Sequence, residues 1–546
     1  MGIPLVRLPI DPLNILWSVF ENPTWRLLDL FPVNWGSFAL YSRRGWNFKD
    51  KSASHVRYGP IWAIVTPRNI WISIADPDAI SEIYKRRTDF IRPSELYTLL
   101  DIYGPCISTA SWTDWPRHRK VLAAPFNESA MTFVWTESVK QATQMLGTWQ
   151  AKDGSIMDYS KDTRMLSLNV LAATGFKRSY NFASSDAVDS QTGTASYRDA
   201  LQIVLDNILT VMLVPPRLLS LPFAPRPWQR VGIAANDFKR YMIDMLQEET
   251  RSFEQGNIEK GGLMTGFLRA SRGTSNDSQS SEPSTIISKR LNQTLSTEEI
   301  YGNIFVINFA GHDTTANTLA FSMLLLSAHP QVQAWLSEEL MNITKHHGDI
   351  ESWTYSEVFS KLKRCRAVML ETLRLFPPIM AIPKRTNSNP QSILVGDRMI
   401  TIPPNTFVTP GPLAIQTLPD HWEEPLEWRP QRWITRPSVS HVKPSTLPEQ
   451  SCDDEEILTP RQGTYLPWSD GPQNCPGLKF SQVEFVAVLA TLLQKHRLSV
   501  VLEPGETLDQ GHTRAMATSQ DCDMLLLLRL RNPGNVKLRC TVGPRD

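Results

Sequence analysis

The chain has 546 residues, of which 41% are hydrophobic and 20% charged, a composition typical of a globular protein with a large core. Its 56 basic and 55 acidic residues leave a formal net charge of +1, so no overall field attracts nucleic acid. The 6 cysteines show no paired or CxxC spacing, which argues against a disulfide framework or a structural zinc site and leaves room for one cysteine with a special role.

The first 50 residues predict an N-terminal arm. Residues 1–20 contain Arg7, Asp11 and several prolines, which excludes a membrane-spanning helix of ~20 apolar residues. Residues 13–40 are rich in Trp and Phe and carry few charges. Such a segment either lies at a lipid–water interface or packs on the protein, and both interpretations stay open. We therefore predict an arm at 1–50, with membrane association as one interpretation, and a single catalytic domain at 51–546.

The next part of the chain predicts strands and then helices. Alternating apolar residues indicate strands within 58–74, followed by an amphipathic helix at 76–87. Longer helices are predicted at 127–150, 160–177, 195–214 and 226–255. The apolar, proline-rich stretch 214–228 predicts an exposed connection, and the polar stretch 271–295 predicts a loop inserted within the domain.

The clearest helix begins at residue 296. Ser296 and Glu299 have the spacing of a capping box, and the apolar pattern continues to about Ala328, before Pro330. Because apolar residues cover most of its faces, this helix is predicted to be buried and central.

The second half of the chain predicts a mixture of elements. Two helices fit 330–346 and 355–376, and strands then fit 393–395, 399–402 and 406–409. A Pro/Trp-rich meander at 419–436, a polar insertion at 437–460, a helix at 476–495 and a β-like end complete the chain. The fold class predicted is mainly α with small β-sheets (α+β).

The strongest chemical signal is the segment LPWSDGPQNCPG at 466–477. The Gly471–Pro472 pair predicts a tight turn that presents backbone amides to the sulfur of Cys475. Pro476 predicts a helix that opens directly after this cysteine. Amide donors and a helix N-terminus both stabilise a thiolate, which is the form that ligates a metal. The alternative is a buried cysteine that caps a helix.

This segment resembles the cysteine loop of cytochromes P450. The positions of Trp468, Gly471, Cys475 and Gly477 fit the family pattern, whereas Gln473 stands where the family usually has Arg or His on a haem propionate. The resemblance implies haem b with the Cys475 thiolate as the proximal iron ligand, Gly477 beneath the macrocycle and Trp468 beside the sulfur. It also implies the P450 fold, with the long central helix over the haem and the cysteine loop beneath it.

A second motif is Glu371-x-x-Arg374, whose side chains share one helix face. With Arg432 from the meander, it resembles the Glu–Arg–Arg triad that locks the cysteine loop in the family. Its role is structural, because buried charges must satisfy one another. Alone, such a pair is also common on protein surfaces.

A third motif is AGHDTT at 310–315, within the central helix. Gly311 permits close approach to a cofactor, and Thr314 can bond back to the carbonyl of Ala310, which favours a local bulge. By resemblance, Ala310 and Gly311 lie against the haem, Thr314 hydrogen-bonds the dioxygen and Asp313 helps to relay protons. His312 is not expected to ligate iron.

The fourth motif is Trp115-x-x-x-Arg119, a pair on one helix face. The resemblance places it over one haem propionate, and it places Lys384, or its neighbour Arg385, on a propionate as well. Taken alone, the pair also fits a surface cation–π contact.

Together the motifs imply a haem-thiolate monooxygenase that inserts one oxygen atom from O2 into an apolar small molecule by hydroxylation or epoxidation. The style of the sequence resembles P450s of filamentous fungi, which indicates biosynthesis of secondary metabolites. Three alternatives remain: a P450-fold enzyme that performs an O2-independent rearrangement, a non-catalytic haem-binding protein, and a helical protein without haem in which Cys475 is only buried. The acid–threonine pair Asp313–Thr314 argues against the first.

The resemblance also implies partners and a location. The chain has no dinucleotide-binding GxGxxG motif, so its electrons are expected from outside. The resemblance implies NADPH–cytochrome P450 reductase, a flavoprotein, as their source, docking near Arg117, Lys120 and Lys479. The substrate pocket is expected from 102–113, 205–213, 306–310, 380–383 and 515–518. The expected location is the cytosolic face of the endoplasmic reticulum membrane, as a peripheral or interfacial protein in contact with the membrane surface.

Overall fold

The computed structural model describes residues 2–12, 14–123, 126–182, 196–255, 263–272, 294–436, 452–524 and 526–543. The α-helices are α1 (Ile15–Leu28), α2 (Gly36–Tyr41), α3 (Trp46–Asp50), α4 (Ala53–Tyr58), α5 (Pro77–Lys85), α6 (Trp115–Ala123), α7 (Glu128–Gln150), α8 (Tyr159–Phe176), α9 (Tyr197–Asp206), α10 (Ile208–Leu213), α11 (Pro216–Leu219), α12 (Arg226–Glu254), α13 (Leu263–Arg272), α14 (Thr297–Ala328), α15 (Pro330–His347), α16 (Tyr355–Val358), α17 (Lys363–Leu375), α18 (Pro412–Ile415), α19 (Leu478–Leu493) and α20 (Leu508–Gln520).

The strands are β1 (Leu5–Arg7), β2 (Ile61–Val65), β3 (Ile70–Ile74), β4 (Phe90–Ile91), β5 (Ser155–Ile156), β6 (Lys384–Thr386), β7 (Gln391–Val395), β8 (Arg398–Ile402), β9 (Phe407–Pro410), β10 (Ile434–Thr435), β11 (Glu456–Ile457), β12 (His496–Val500), β13 (Cys522–Met524), β14 (Leu528–Leu530) and β15 (Leu538–Val542). Short 3₁₀ helices include Pro430–Trp433 and Gly471–Gln473. The predicted α+β class is confirmed.

The central helix α14 has the start and the burial predicted for it. The Ser296 side chain accepts from the backbone N–H of Glu299, and the Glu299 side chain accepts from the Ser296 N–H, forming the capping box. The helix packs against α8, α17, α19 and α20 and is buried over most of its length. It runs as an uninterrupted α-helix, so the predicted bulge is absent, although the Thr314 hydroxyl does donate to the Ala310 carbonyl at 2.9 Å.

Three helix predictions need correction. The helix predicted at 195–214 is divided at Asn207, where the backbone leaves the helical region (φ −114°, ψ 27°). The helix predicted at 355–376 is divided into α16 and α17. The β-like end contains the helix α20, which sequence reasoning missed even though Thr507 and Gln510 form a second capping box.

The largest sheet has six strands in the order β1-β2-β3-β9-β6-β4. Strand β1 comes from the N-terminal arm and pairs in parallel with β2, with Leu5 opposite Ala63. Strand β6 places Lys384 opposite Val408 of β9, in the interior of this sheet. The same sheet therefore contains the first strand of the N-terminal arm and Lys384, a residue predicted for the site.

Helix α1 of the arm is partly buried. Trp17 and Trp25 are buried, whereas Leu16 and Phe20 are exposed. Among the described helices, none combines the length and the apolar character required to cross a membrane. The domain boundary at residue 50 stays a prediction.

The two predicted insertions lie largely outside the described residues, at 273–293 and 437–451. Where the chain is described again, Glu455 is buried and forms a two-bond ion pair with Arg364 at 2.8 and 2.9 Å. Strand β11 then pairs with β10, and together with the Arg364–Glu455 ion pair this holds residues 455–457 against α17.

Candidate active site

A cavity of about 690 Å³ lies between α14 and the cysteine loop. Ala310, Gly311 and Thr314 line it from α14, and Cys475 and Gly477 line it from the loop. The structure thus brings the first and the third sequence motif to opposite sides of one space.

The cysteine loop is held by its own backbone. The Cys475 N–H donates to the carbonyl of Trp468 at 2.9 Å, closing the loop around the 3₁₀ turn Gly471–Gln473. Gly471 has φ +67°, and a Cβ there would lie 2.7 Å from the backbone oxygen of Tyr84. Only glycine meets both conditions without strain. The indole N–H of Trp468 is fixed by Ser481 at 3.1 Å.

The helix that follows begins later than predicted. Gly477 is the N-cap of α19 and Leu478 its first residue, so Pro476 precedes the helix instead of opening it. The sulfur of Cys475 is exposed to the cavity but enclosed by protein elsewhere. Burial raises the pKa of the Cys475 thiol, and the Gly477 N–H and the Arg119 charge act in the opposite direction. A cation in the cavity would complete the stabilisation of its thiolate.

Cationic side chains surround one part of the same cavity. Arg119 donates to the carbonyl and the side-chain oxygen of Asn474 at 2.9 and 2.7 Å, and Trp115 lines the cavity beside it. Lys384 is 3% exposed and donates to Oε1 of Gln473 at 2.7 Å. Lys384 is therefore behind Gln473, which itself lines the cavity, instead of facing the space directly.

Sequence reasoning missed Arg92. This side chain lines the cavity, donates to the carbonyl of Ile107 at 3.0 Å, and has its pKa lowered by burial. It belongs to no motif that marks it, and only the fold places it near Arg119, whose charge also acts on it. Arg385, offered as the alternative to Lys384, instead pairs with Glu95.

On α14, Thr314 and Asp313 face different surroundings. Thr314 lines the cavity, whereas Asp313 forms an ion pair with Arg164 of α8 at 2.7 Å. Arg164 also pairs with Asp206, whose side chain is 44% exposed. Burial acts to raise the pKa of Asp313, but His312 and Arg164 outweigh it and the pKa is lowered. Asp313 is thus an ionised group within a charged chain that leads from α14 to the surface.

The Glu371–Arg374–Arg432 group is assembled below the cavity. Both charges of the first pair are fully buried, with Nη2 and Nε of Arg374 at 2.8 and 2.9 Å from Glu371. Arg432 adds a third contact at 3.0 Å, and the indole N–H of Trp433 donates to the same carboxylate at 2.8 Å. Arg374 also donates to the carbonyl of Gln416, at the end of α18, and to the meander carbonyls of Pro425 and Glu427. Every charge is satisfied, which is what makes such a buried cluster tolerable.

The cavity walls correspond only in part to the expected pocket. Ile107, Val306 and Phe309 line it, as does the segment 379–383, in keeping with three of the expected ranges. No residue of 205–213 or 515–518 does, because the apolar side chains of these segments pack into the cores around α12 and α14. The structure instead adds residues that sequence reasoning did not include, from 46–51, 92–97 and 524–527.

The three residues expected to receive a reductase differ in availability. Arg117 is largely neutralised by Glu299, with two bonds of 2.6 and 2.7 Å. Lys479 lies over the rings of Tyr355 and Phe359. Lys120 is exposed on α6. Arg117 is therefore a poor docking charge, in contrast to the expectation.

The residues around the cavity fit the haem that the resemblance implies. No carboxylate of the described residues forms an ion pair with Arg92, Arg119 or Lys384, so this side of the cavity is prepared for anions. A cysteine sulfur faces the same space, and the wall of α14 offers Ala310 and Gly311 without bulk. Haem matches these groups: its two carboxylates suit the cations, its iron can bind the cysteine thiolate, and its flat apolar ring suits the small residues of α14.

Comparisons with known proteins agree with this geometry. The family model described as Cytochrome P450 matches residues 28–521. A cytochrome P450 monooxygenase of Arthrobotrys oligospora is 30% identical, covering 98% of this chain and 93% of that protein. A cytochrome P450 monooxygenase of the phomenoic acid biosynthesis cluster of Leptosphaeria maculans is 27% identical over 99% and 94%. A crystal structure of a cytochrome P450 superposes with a TM-score of 0.64 at 17% identity, covering 91% of this chain and 94% of that one.

Proposed function

Because the chain belongs to the cytochrome P450 family and is a haem-thiolate monooxygenase, we propose that it inserts one oxygen atom from O2 into an apolar small molecule, with Cys475 as the iron ligand. The observation that carries this proposal is the single cavity that Cys475 and Thr314 line from opposite sides. Trp115, Arg119 and Gln473 would bind the propionates, with Lys384 acting through Gln473, and Ala310, Gly311 and Gly477 would border the macrocycle.

Haem with a thiolate ligand supplies the reductive activation of O2, for which P450s are the standard example. The balance is one substrate C–H or C=C bond, one O2, two electrons and two protons, giving an oxygenated product and one water. The electrons come from outside the chain, and we propose NADPH–cytochrome P450 reductase as their source, docking at the face that carries the exposed Lys120.

We propose that residues of α14 deliver the two protons that the reaction consumes. Thr314 carries a hydroxyl at the cavity wall, held by the carbonyl of Ala310, and it can turn to donate to an oxygen in the cavity. Asp313 lies next to it and connects through Arg164 to the exposed Asp206. We assign Thr314 to hold the proton at the reacting oxygen, and Asp313 to take up a proton and pass it on to Thr314, while Arg164 positions the Asp313 carboxylate without transferring a proton itself.

The Glu371–Arg374–Arg432 group has a positioning role. It connects α17 to the meander that precedes the cysteine loop, and Gln416 extends the connection by accepting from the Leu466 N–H at 2.8 Å. These contacts hold the segment that leads into the cysteine loop against α17 and the meander.

The substrate class follows from the walls. Val306, Phe309, Ile382 and Leu527 are apolar, and the cavity must hold the substrate as well as the cofactor. We assign an apolar substrate of medium size. The relative in a phomenoic acid biosynthesis cluster supports a role in fungal secondary metabolism. For the location, we propose the cytosolic face of the endoplasmic reticulum membrane, with peripheral attachment.

The test begins with the spectrum of the reduced protein under CO. We expect the red-shifted absorption band of a thiolate-ligated haem, and we expect Cys475→Ala to lose it. A retained band in Cys475→Ala would refute the ligand assignment. A wild-type protein that binds haem without this band would support a non-catalytic haem protein.

The oxygen step is tested with Thr314→Ala. This change should keep haem and the CO band while NADPH consumption becomes uncoupled from product by roughly tenfold or more, since proton delivery at a positioned group contributes factors of this size. Thr174→Ala is the matched control, because the Thr174 hydroxyl also donates to the carbonyl four residues earlier, that of Val170 at 2.8 Å, but Thr174 does not line the cavity. Unchanged coupling in Thr314→Ala would remove its proposed role, and turnover without O2 would support the rearrangement alternative.

A further inference from the structure

Lys384 and Gln473 form a hydrogen-bonded pair in which only Gln473 lines the cavity. Gln473 lines the cavity, and the Nζ of Lys384 donates to its Oε1 from behind at 2.7 Å. Lys384 is 3% exposed and does not line the cavity. The cation is therefore separated from the cavity by one amide group.

This contact fixes the direction of the amide. An ammonium group has donors only, so it must meet the oxygen of Gln473 and not the nitrogen. The Nε2 group, with its two N–H donors, is then the part of the side chain left to face the cavity. The assignment does not depend on distinguishing oxygen from nitrogen by their positions, because the partner decides it.

The surrounding charge indicates what the amide meets. Arg92 and Arg119 line the same cavity, and neither they nor Lys384 has an ion-pair partner among the described carboxylates. Three buried or half-buried cations without a counter-ion are costly unless an anion completes them. The carboxylates of haem are the anions that the proposed function brings to this cavity, and the inference rests on that function.

We propose that the Gln473 amide donates from Nε2 to a haem propionate, and that Lys384 is the positioning residue that orients this amide and supplies the balancing charge from behind it. The amide and the lysine together replace a single direct cation. A hydrogen bond to a charged acceptor is stronger than a neutral one, and the lysine polarises the amide in the favourable sense.

The surroundings of Lys384 add a dependence on pH. Burial, and next the charge of Arg92, lower the pKa of Lys384 to about 7, and the ring of Tyr84 lies 5.4 Å from its Nζ. Arg92 and Tyr84 are the titratable groups that face it among the described residues. A propionate arriving in front of the amide raises this pKa. Haem binding then takes up a proton above pH 7, and retention of haem by this side of the cavity weakens as the pH rises.

The pair is tested by the rate at which the purified holoprotein loses haem to excess apomyoglobin. Gln473→Leu should speed haem loss by roughly tenfold, the value of one hydrogen bond to a charged group. Lys384→Met should have a smaller effect in the same direction, and no further effect when Gln473→Leu is already present. Additive effects of the two changes would overturn the positioning role, because they would show that each residue acts independently. Lys345→Met, on an exposed lysine, is the control for loss of a positive charge.

A second readout separates positioning from general stability. Lys384→Arg retains a donor that stays protonated, so it should preserve haem retention at pH 7 and remove the loss expected for the wild type between pH 7 and 9. Both proteins keep Cys475, so the titration of the thiol cancels in their ratio. A ratio that does not change with pH would overturn the role of Lys384.

A third readout identifies the propionate. Protein reconstituted with haem dimethyl ester should lose the differences among wild type, Gln473→Leu and Lys384→Met, because the ester carries no carboxylate. If the differences persist with the ester, the amide does not meet a propionate and the inference fails. The CO band of the wild type is recorded in the same samples, and its absence would instead contradict the proposed function.

Discussion

At the scale of single residues, two buried carboxyl groups avoid an unpaired charge in different ways: one is paired with arginines and the other is protonated. Glu371 is surrounded by Arg374, Arg432 and Trp433 and is satisfied at both oxygens. Glu484 on α19 is 0% exposed, and neither of its oxygens has a hydrogen-bond partner among the described residues. Burial raises the pKa of Glu484 to about 8, and only Ser167 acts against this. Glu484 is therefore a neutral acid in the folded protein at pH 7.

Replacement of Glu484 should change how stability depends on pH. Since the folded-state pKa is raised, the stabilisation is complete below the ordinary carboxyl pKa and is lost as the pH rises towards about 8. The loss is at most about 1.4 kcal/mol per pH unit. Glu484→Gln cannot ionise, so the difference in Tm between this variant and the wild type should shift in favour of the variant from pH 5 to pH 8. Glu351→Gln, at an exposed site, is the control. A difference in Tm that is constant with pH would show that Glu484 is already paired.

At the scale of elements, sequence patterns identified those with strong local signals. The capping box of Ser296 and the apolar pattern after it gave the limits of α14 closely. The same box at Thr507 marks α20, but the helix is short and its pattern is mixed, so its surroundings in the fold decide it. The division of 195–214 at Asn207 could not be predicted, because the apolar period continues through the break and both halves pack against the same helix, α12. Pro476 was placed inside the helix because proline favours first helical positions, yet the closure of the cysteine loop delays that helix by two residues.

The cysteine loop itself should depend on one glycine. Gly471→Ala would force a side chain into a φ of +67° and place its Cβ 2.7 Å from the Tyr84 oxygen, at an expected cost of about 1–3 kcal/mol. We expect a lower Tm and a lower haem content per protein, because the loop carries Cys475. Gly534→Ala has open space around its Cβ and an ordinary φ, and it should leave both quantities unchanged. Equal effects of the two changes would mean that the loop adapts to a Cβ at 471.

At the scale of the whole molecule, the site combines segments that are far apart in sequence. Arg92, Arg119, Thr314 and Cys475 reach one cavity from a loop, two helices and a turn, and Lys384 of β6 contacts it only through Gln473. Arg119, Thr314 and Cys475 were predictable because each lies in a motif with a local pattern, whereas Lys384 followed only from the family resemblance. Arg92 has none, and the position of Lys384 behind Gln473 depends on the register of β6 against β9. The motif residues of the site were therefore predictable, whereas the contribution of Arg92 and the position of Lys384 behind Gln473 were not.

The molecule also exposes apolar side chains in two of its segments. Phe223, between α11 and α12, is 84% exposed and Trp228, in the first turn of α12, is 45% exposed. In the arm, Leu16 and Leu30 are 69% and 77% exposed. Large exposed apolar side chains grouped in this way are typical of interaction surfaces. Since the proposed substrate is apolar and would partition into lipid, a membrane surface is the partner that we assign to them.

This assignment predicts the behaviour of the protein on phospholipid vesicles. The double change Phe223→Ser and Trp228→Ser should weaken binding to vesicles of phosphatidylcholine and phosphatidylserine by at least roughly tenfold, because burial of each such side chain contributes about 1.5–3 kcal/mol. Met399→Ser removes an apolar side chain that is 66% exposed on β8, outside both segments, and should leave binding unchanged. The measurement is the fraction of protein that floats with the vesicles in a density gradient. If the double variant floats as the wild type does, these side chains do not enter the lipid, and an equal loss in Met399→Ser would show that binding follows exposed apolar area anywhere on the surface.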